Sequence, residues 1–229
     1  MPPPLDSRTE RALIEQIEAG IRARQPAYAH SYQGAAFLCE TGGRRYFVKA
    51  AMGGGLEGLL RRWMLRREYD VYQRLTGFVG SPQCYGLIDS RYLLLEHIDG
   101  FSLRNGRIDD RRTYFDTLFA HIRELHRRGV AHADLKRRDN LLVVGGRLPV
   151  LVDFGAAIVR KPGFAPFNHY FYELARRFDL NAWAKLKYQG RMEELTLEDR
   201  PYYRRTVVEI IARAIKRSYL RLKGRIVGQ

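Results

Sequence analysis

The sequence predicts an α+β fold, and three features predict it. Residues 28–51 read as β-structure folded on a tight glycine turn. Two stretches, Leu56 to Leu75 and Tyr114 to His126, carry apolar residues at helical spacing. Between them in character is a third: the short apolar runs Leu141–Val144 and Pro149–Val152, joined by Gly145-Gly146-Arg147, which is a hairpin signal.

In chain order, Ser7-Arg8-Thr9-Glu10 is a capping-box pattern. Leu13, Ile14, Ile17 and Ile21 follow on one face, so the spacing predicts a helix from about Ser7 to Ala23, ended by Pro26. Ala35–Glu40 and Arg45–Ala50 flank Thr41-Gly42-Gly43-Arg44 as two strands of a hairpin. Gly53-Gly54-Gly55 reads as the flexible entry to a helix. In that helix Leu56, Leu59, Leu60, Trp63, Met64, Val71 and Leu75 form most of an apolar face around Glu68. Pro82 to Gly86 reads as a loop and Tyr92–Glu96 as a buried strand. The helix through Tyr114, Phe115, Leu118, Phe119, Ile122, Leu125 and His126 stops at Gly129, with His126 at the end of its core face.

Beyond residue 155, Asn168 to Tyr188 reads as one or two helices, with Phe171, Leu174, Ala175 and Phe178 inward. Thr196-Leu197-Glu198-Asp199 resembles a cap. A last helix is expected from about Pro201 to Lys223, with Val207, Val208, Ile211, Ala214, Ile215 and Leu222 for the core. From Leu197 to Gln229 there are nine Lys or Arg against three acids. That run is either a solvated helix face or a patch that meets a membrane or phosphoglycan.

The bulk numbers set bounds. A chain of 229 residues, 45% hydrophobic and 28% charged, suits one large globular domain or two small lobes rather than a disordered polymer. No run of about 18 apolar residues predicts a membrane span. The start, Met1-Pro2-Pro3-Pro4-Leu5-Asp6, lacks a signal-peptide pattern. Cys39 and Cys84 lack the spacing of a zinc or redox motif and are expected to be buried thiols in a reducing compartment. The net charge of +15 favours anionic partners: nucleotide, nucleic acid, phosphorylated glycolipid or a membrane surface.

The chemistry concentrates between His132 and Gly155. The run His132-Ala133-Asp134-Leu135-Lys136-Arg137-Arg138-Asp139-Asn140 precedes the hairpin, and Asp153-Phe154-Gly155 follows it. A hairpin there brings Asp134, Asn140 and Asp153 near one another. Phosphoryl transfer needs such a set, with one carboxylate to orient the acceptor hydroxyl and two oxygen ligands for magnesium.

These two motifs resemble the catalytic loop and the metal-binding Asp-Phe-Gly triplet of the protein-kinase-like superfamily. The resemblance covers residues 28–160 well and the rest poorly. It implies a bilobal fold, with a small, β-rich N-lobe with one main helix over 1–97 and a short, mainly helical C-lobe over 98–229. It also implies ATP and Mg2+ as cofactors. On that resemblance Lys49 is the phosphate-binding strand lysine and Glu68, nineteen residues on, its helix partner. Glu96 and Ile98 supply main-chain groups to the adenine edge, and Gly34 stands for a phosphate loop that lacks the usual glycine pattern. Asp134 is the catalytic carboxylate, Lys136 steadies the γ-phosphate, and Asn140 and Asp153 hold the metal. In most such loops the asparagine is fifth after the aspartate. Here Asp139 is fifth and Asn140 sixth, so Asp139 is the alternative ligand.

The short segment after Gly155, the absent Ala-Pro-Glu and the basic surface make the chain most similar to small bacterial lipopolysaccharide-core (Kdo/heptose) kinases. The implied function is ATP-dependent phosphotransfer to a hydroxyl acceptor, a sugar of the lipopolysaccharide core. The implied partners are ATP and an anionic acceptor such as a phosphorylated glycolipid or a protein. The implied location is cytoplasmic, with peripheral association at the inner membrane face left open and nucleic acid not excluded. A Rio-like serine/threonine protein kinase and a pseudokinase or nucleotide-binding scaffold are the alternatives.

Overall fold

The computed structural model describes residues 6–22, 29–31 and 34–204. The expected C-terminal helix and its basic run lie, from residue 205 onward, outside the described residues. The architecture is α+β, with small antiparallel sheets and four α-helices among the described residues.

Helix α1 spans Ser7–Arg22. Its cap is Asp6, one residue before the expected capping box. The Asp6 carboxylate accepts from Thr9 N at 2.8 Å and from Thr9 Oγ1 at 2.9 Å. A negative charge at a helix N-terminus faces the partly positive end of the backbone dipole, so the carboxylate is the better acceptor.

Strands β1 (Ala29–Ser31), β2 (Gly34–Thr41) and β3 (Arg44–Ala50) follow. Thr41 pairs with Arg44, which leaves a two-residue turn. Its residues Gly42 and Gly43 both have positive φ, +58° and +73°, the backbone a tight hairpin turn requires and that only glycine adopts cheaply. Helix α2 (Gly55–Arg74) leads to β4 (Cys84–Ile88) and β5 (Tyr92–Glu96). The five strands form one sheet in the order β1-β2-β3-β5-β4. The expected loop at 82–86 is therefore half strand. Cys84 to Ile88 is an edge strand whose register shifts between Cys84 and Gly86, and an irregular edge tolerates the glycine.

Strand alternation divides this sheet into two faces. Tyr46, Val48, Ala50, Tyr92 and Leu94 pack with Leu13 and Ile17 of α1. Phe47, Lys49, Leu93 and Leu95 take the opposite face, where Leu93 and Leu95 join the main core.

Helix α2 departs from its expected face. Leu65, Glu68, Val71 and Tyr72 are buried, but Leu56, Leu59, Leu60 and Trp63 are exposed. The large buried side chains come from the second half of the helix, while the first half presents its apolar residues to solvent and buries only Gly58 among the described residues.

The rest of the chain is built on β6 (Phe101–Ser102), α3 (Arg111–Arg127), β7 (Val130–Ala131), β8 (Leu141–Val144), β9 (Leu148–Leu151), β10 (Ile158–Val159) and α4 (Pro166–Lys187). Asp110 caps α3 by accepting from Thr113 N, and Gly129 follows its end at φ +73°. The hairpin β8–β9 closes through residues 145–147, with Val144 opposite Leu148. β6 pairs with β8, and β10 pairs with β7. Gly100 lets the chain pass β8 closely, since a Cβ there would lie 3.0 Å from Val143 O. Helix α4 is single and continuous. Its buried face is Tyr172, Ala175, Asp179, Ala182 and Trp183, turned from the expected Phe171/Leu174/Phe178 line, and Phe171 is exposed. The segment 196–202 ends in a short 3₁₀ turn, Arg200–Tyr202. Among the described residues no helix is long and apolar enough to cross a membrane.

The different burial of two leucines has a direct consequence. Leu118, wholly buried in α3, is expected to cost about 2–5 kcal/mol when changed to Ala. Leu56→Ala, at a position 86% exposed, is expected to stay within about 0.5 kcal/mol of wild type. Urea unfolding of the two variants measures both, and a large loss at Leu56 would mean that its helix face is covered.

Candidate active site

The site begins with alternation along β3. Because Val48 and Ala50 face α1, Lys49 faces the other way, towards α2. There its ammonium donates to Glu68 Oε1 at 2.7 Å and to Asp153 Oδ1 at 2.8 Å. Glu68 is fully buried on α2, and its Oε1 also accepts from Phe154 N at 3.2 Å. Strand, helix and the 153–155 turn thus meet on one cation.

The electrostatics are those of a coupled triad. Burial alone would lower the Lys49 pKa, but the two carboxylates outweigh it and hold the lysine above its ordinary value. Burial raises Glu68, more than Lys49 lowers it, and Glu68 Oε2 has no hydrogen-bond partner among the described residues. For Asp153, burial pushes up while the charge and hydrogen bond of Lys49 pull down. The lysine prevails, and Asp153 sits below the usual carboxylate range. Asp153 adopts the left-handed region, φ 64° and ψ 73°, which aspartate tolerates better than most side chains. Phe154 beside it is buried edge-on to Tyr72 of α2 and packs on His132.

Residues 132–140 form the opposing loop. His132 Nε2 donates to Val152 O at 3.0 Å, since a carbonyl can only accept. Asn140 Nδ2 donates to Asp134 O at 3.1 Å and to Asp134 Oδ2 at 3.3 Å. Asp139 is turned elsewhere, ion-paired with Arg104 at 2.7 Å and accepting from Ser102 Oγ at 3.3 Å. Asn140 and Asp134 therefore form one cluster and Asp139 another, although both Asp139 and Asn140 border the same cleft.

That cleft has a volume of about 610 Å³. Lys49, Asn140 and Asp153 line it, as do Glu96 and Ile98 and the apolar Phe47, Leu95 and Val152. Arg45 and Arg137 add positive charge to the lining. Glu96 N–H is committed to Gln83 O at 2.8 Å, and Gln83 N returns a bond to the Glu96 carboxylate at 3.0 Å. Gly34 opens β2. The next residues, Ala35 and Ala36, line the cleft, while the turn at 32–33 lies outside the described residues. Lys136 is exposed and outside the lining.

The residues fit magnesium. Asn140 and Asp153 bring oxygen-bearing side chains to one cleft, and magnesium is ordinarily held by one or two such groups together with waters and substrate phosphates. Among the described residues no three His, Cys, Asp or Glu side chains gather into a cage. Cys39 is buried and Cys84 half-buried, and burial pushes their thiols up to about 11 and about 12.

One residue escaped the sequence reading. Asp179, fully buried on α4, accepts from His132 N at 2.8 Å, from Ala133 N at 2.9 Å and from His126 Nε2 at 3.0 Å. It holds the backbone where the chain enters the loop, at Ala133 with φ +67°. A charged residue inside an apolar helix face was the available signal. It was hidden because the expected face was drawn through Phe178 instead. His126, read only as a core-face residue, is part of this network. No protein-family model matches the sequence, and no curated protein matches it.

Two measurements follow from this geometry. The lowered Asp153 pKa means that its ionised form stabilises the fold at neutral pH and that this contribution disappears as pH falls through about 4 and below. Asp153→Asn keeps a side chain that tolerates the left-handed backbone and removes the charge. Its stability deficit in urea is expected to be largest near pH 7 and to shrink towards about pH 3; a deficit independent of pH would show that the charge contributes nothing. Asp179→Ala leaves two buried N–H groups and a histidine without their acceptor and is expected to cost about 3–5 kcal/mol. Hydrogen exchange should then quicken at His132 and Ala133, and unchanged protection there would contradict the anchoring role.

Proposed function

We propose that the protein is an ATP-dependent phosphotransferase with a bilobal, protein-kinase-like fold, acting on a hydroxyl group. The observation that carries this reading is the Lys49 ammonium bonded to both Glu68 and Asp153 in a cleft that Asn140 and residues 96–98 also line. The apolar lining suits a flat purine, and main-chain groups at Glu96 and Ile98 suit its polar edge. Lys49 presents its charge to the phosphates, and Glu68 fixes the direction of that ammonium. Asp134 orients the acceptor hydroxyl and takes its proton as the acceptor oxygen bonds to the γ-phosphorus, while the electron pair of the broken bond leaves with ADP. When bound by Asn140 and Asp153, a magnesium ion supplies neutralisation of the phosphate charge. The Asn140–Asp134 contact and the Asp139–Arg104 pair favour Asn140 over Asp139 as the ligand.

For the acceptor we favour a phosphorylated glycolipid, a sugar of the lipopolysaccharide core. Support comes from the segment after the Asp-Phe-Gly triplet. β10 ties it to β7, directly ahead of His132–Asp134, and it then exposes Phe164, Phe167, Tyr170 and Phe171 among basic residues such as Arg160 and Lys161. Apolar side chains beside positive charge suit a ligand with acyl chains and phosphate.

The reading is tested with purified protein, ATP and magnesium. Asp134→Asn is expected to lower turnover by a factor on the order of 10²–10⁴ while nucleotide affinity stays near wild type. Asn140→Ala should raise the magnesium requirement and reduce the rate far more than Asp139→Ala. A wild-type protein that binds no nucleotide would sink the proposal, and the opposite order of the Asn140 and Asp139 variants would move the metal ligand by one residue.

A further inference from the structure

Three consecutive basic residues, Lys136, Arg137 and Arg138, lie between Asp134 and Asn140, and the fold separates them. Two backbone turns share Arg137. Its N–H donates to Asp134 O at 3.2 Å, and its carbonyl accepts from Asn140 N at 3.0 Å. The first turn has Leu135 and Lys136 at its corners. Leu135 is 1% exposed and belongs to the main core, which leaves Lys136 turned out to solvent. Arg137 instead lines the cleft with Lys49, Asn140 and Asp153, whereas Lys136 and Arg138 lie outside that lining, as does Asp134, which Arg137 borders from the cleft side. Arg137 Nε stands 3.8 Å from Asp134 Oδ2, and the arginine side chain is 53% exposed. A pair this open and this long holds the guanidinium only weakly, so an anion in the cleft can draw it away.

The loop count agrees. In the kinase-like loops that this stretch resembles, the asparagine is fifth after the aspartate and the lysine second, so the lysine stands three residues before the asparagine. Three residues before Asn140 is Arg137. In the register that makes Asn140 the ligand, the additional residue of the loop falls at the outward corner, at Lys136.

We propose that Arg137, rather than Lys136, is the cation that contacts the phosphoryl group in transfer. The assignment rests on the phosphotransferase reading above. As the acceptor oxygen bonds to the γ-phosphorus, the bond from that phosphorus to the β–γ bridging oxygen breaks and its electron pair leaves with ADP. The acceptor proton passes to Asp134. A guanidinium can donate two parallel N–H groups to two phosphate oxygens, which fixes the orientation of the group as well as its charge. Moving from Asp134 to the phosphate leaves Asn140 Nδ2 as the remaining contact of Asp134 Oδ2.

The test uses the full-length protein with ATP and ADP as probes, magnesium present and water as the acceptor. Calorimetric affinities and ATP hydrolysis rates are compared for wild type, Arg137→Ala, Arg137→Lys and Lys136→Ala. Arg137→Ala is expected to slow hydrolysis on the order of ten- to a hundredfold, the worth of a charge-assisted hydrogen bond. It should also erase any preference for ATP over ADP while keeping ADP affinity, because the arginine reaches only the terminal phosphate. Arg137→Lys should recover part of both. The loss from Lys136→Ala should be smaller than that from Arg137→Ala by about tenfold. Retained ADP affinity reports an intact cleft, which a merely structural role for Arg137 would not preserve alongside a lost ATP preference. A greater loss at Lys136, or an ATP-to-ADP ratio that Arg137→Ala leaves at its wild-type value, overturns the assignment and leaves the phosphotransferase reading standing. A wild-type protein that binds neither nucleotide overturns both.

Discussion

The ammonium of Lys49, bonded to Glu68 at 2.7 Å and to Asp153 at 2.8 Å, is the contact on which the site depends. It joins residues 104 positions apart in the chain. A fully buried carboxylate is tolerable only beside a positive charge and with its oxygens hydrogen-bonded. Glu68 meets half of that need: Lys49 and Phe154 N both bind Oε1, Oε2 has no partner among the described residues, and the Phe154 bond fixes the turn that carries Asp153. The orientation of α2, the exit of β9 and the left-handed backbone at Asp153 therefore share one electrostatic solution. Its net contribution to stability need be small, because desolvating two charges offsets most of their attraction. What it enforces is geometry.

A second buried carboxylate does comparable work on the other wall. Asp179 binds two consecutive main-chain N–H groups and the His126 ring, and so couples α4 and α3 to the residues just ahead of Asp134. Phe154 spans the two systems, packed on Tyr72 from α2 and on His132 from the opposing loop. A short apolar contact between two charged anchors lets each wall sense the placement of the other. The exposed start of α2 and the exposed aromatics after β10 lie outside this network, where side chains are free to serve a partner rather than the core.

The strong positive charge takes on a more local meaning in the structure. Many arginines are spent on surface pairs with neighbours on the same helix, such as Arg66–Asp70 and Arg176–Glu173. Such exposed pairs contribute little to stability. Arg45 and Arg137 differ because they border the cleft, where their charge acts on whatever enters it. Arg45 is loosely paired with the exposed Asp99 and Arg137 with Asp134, so neither is locked in place.

Local features were readable from residues alone because their causes are local. Gly42-Gly43 and Gly145-Gly146 dictate turns through backbone freedom, and the strands and helices they join follow from apolar periodicity. The pairing of Lys49 with Glu68 was expected from a resemblance together with their spacing, and the two side chains do meet. Other features depend on what a side chain meets at long range, and only the tertiary structure decided them. The apolar face of α2 was read along most of the helix, yet Leu56, Leu59, Leu60 and Trp63 in its first half are exposed. Asp179 was not singled out in the sequence, yet it is the acceptor for a loop 46 and 47 residues away. Between Asp139 and Asn140 both oxygens were chemically adequate. What the structure adds is where their neighbours lie: Arg104 and Ser102 hold the Asp139 carboxylate, Asn140 donates to Asp134, and the burial of Leu135 turns Lys136 outward while Arg137 borders the cleft.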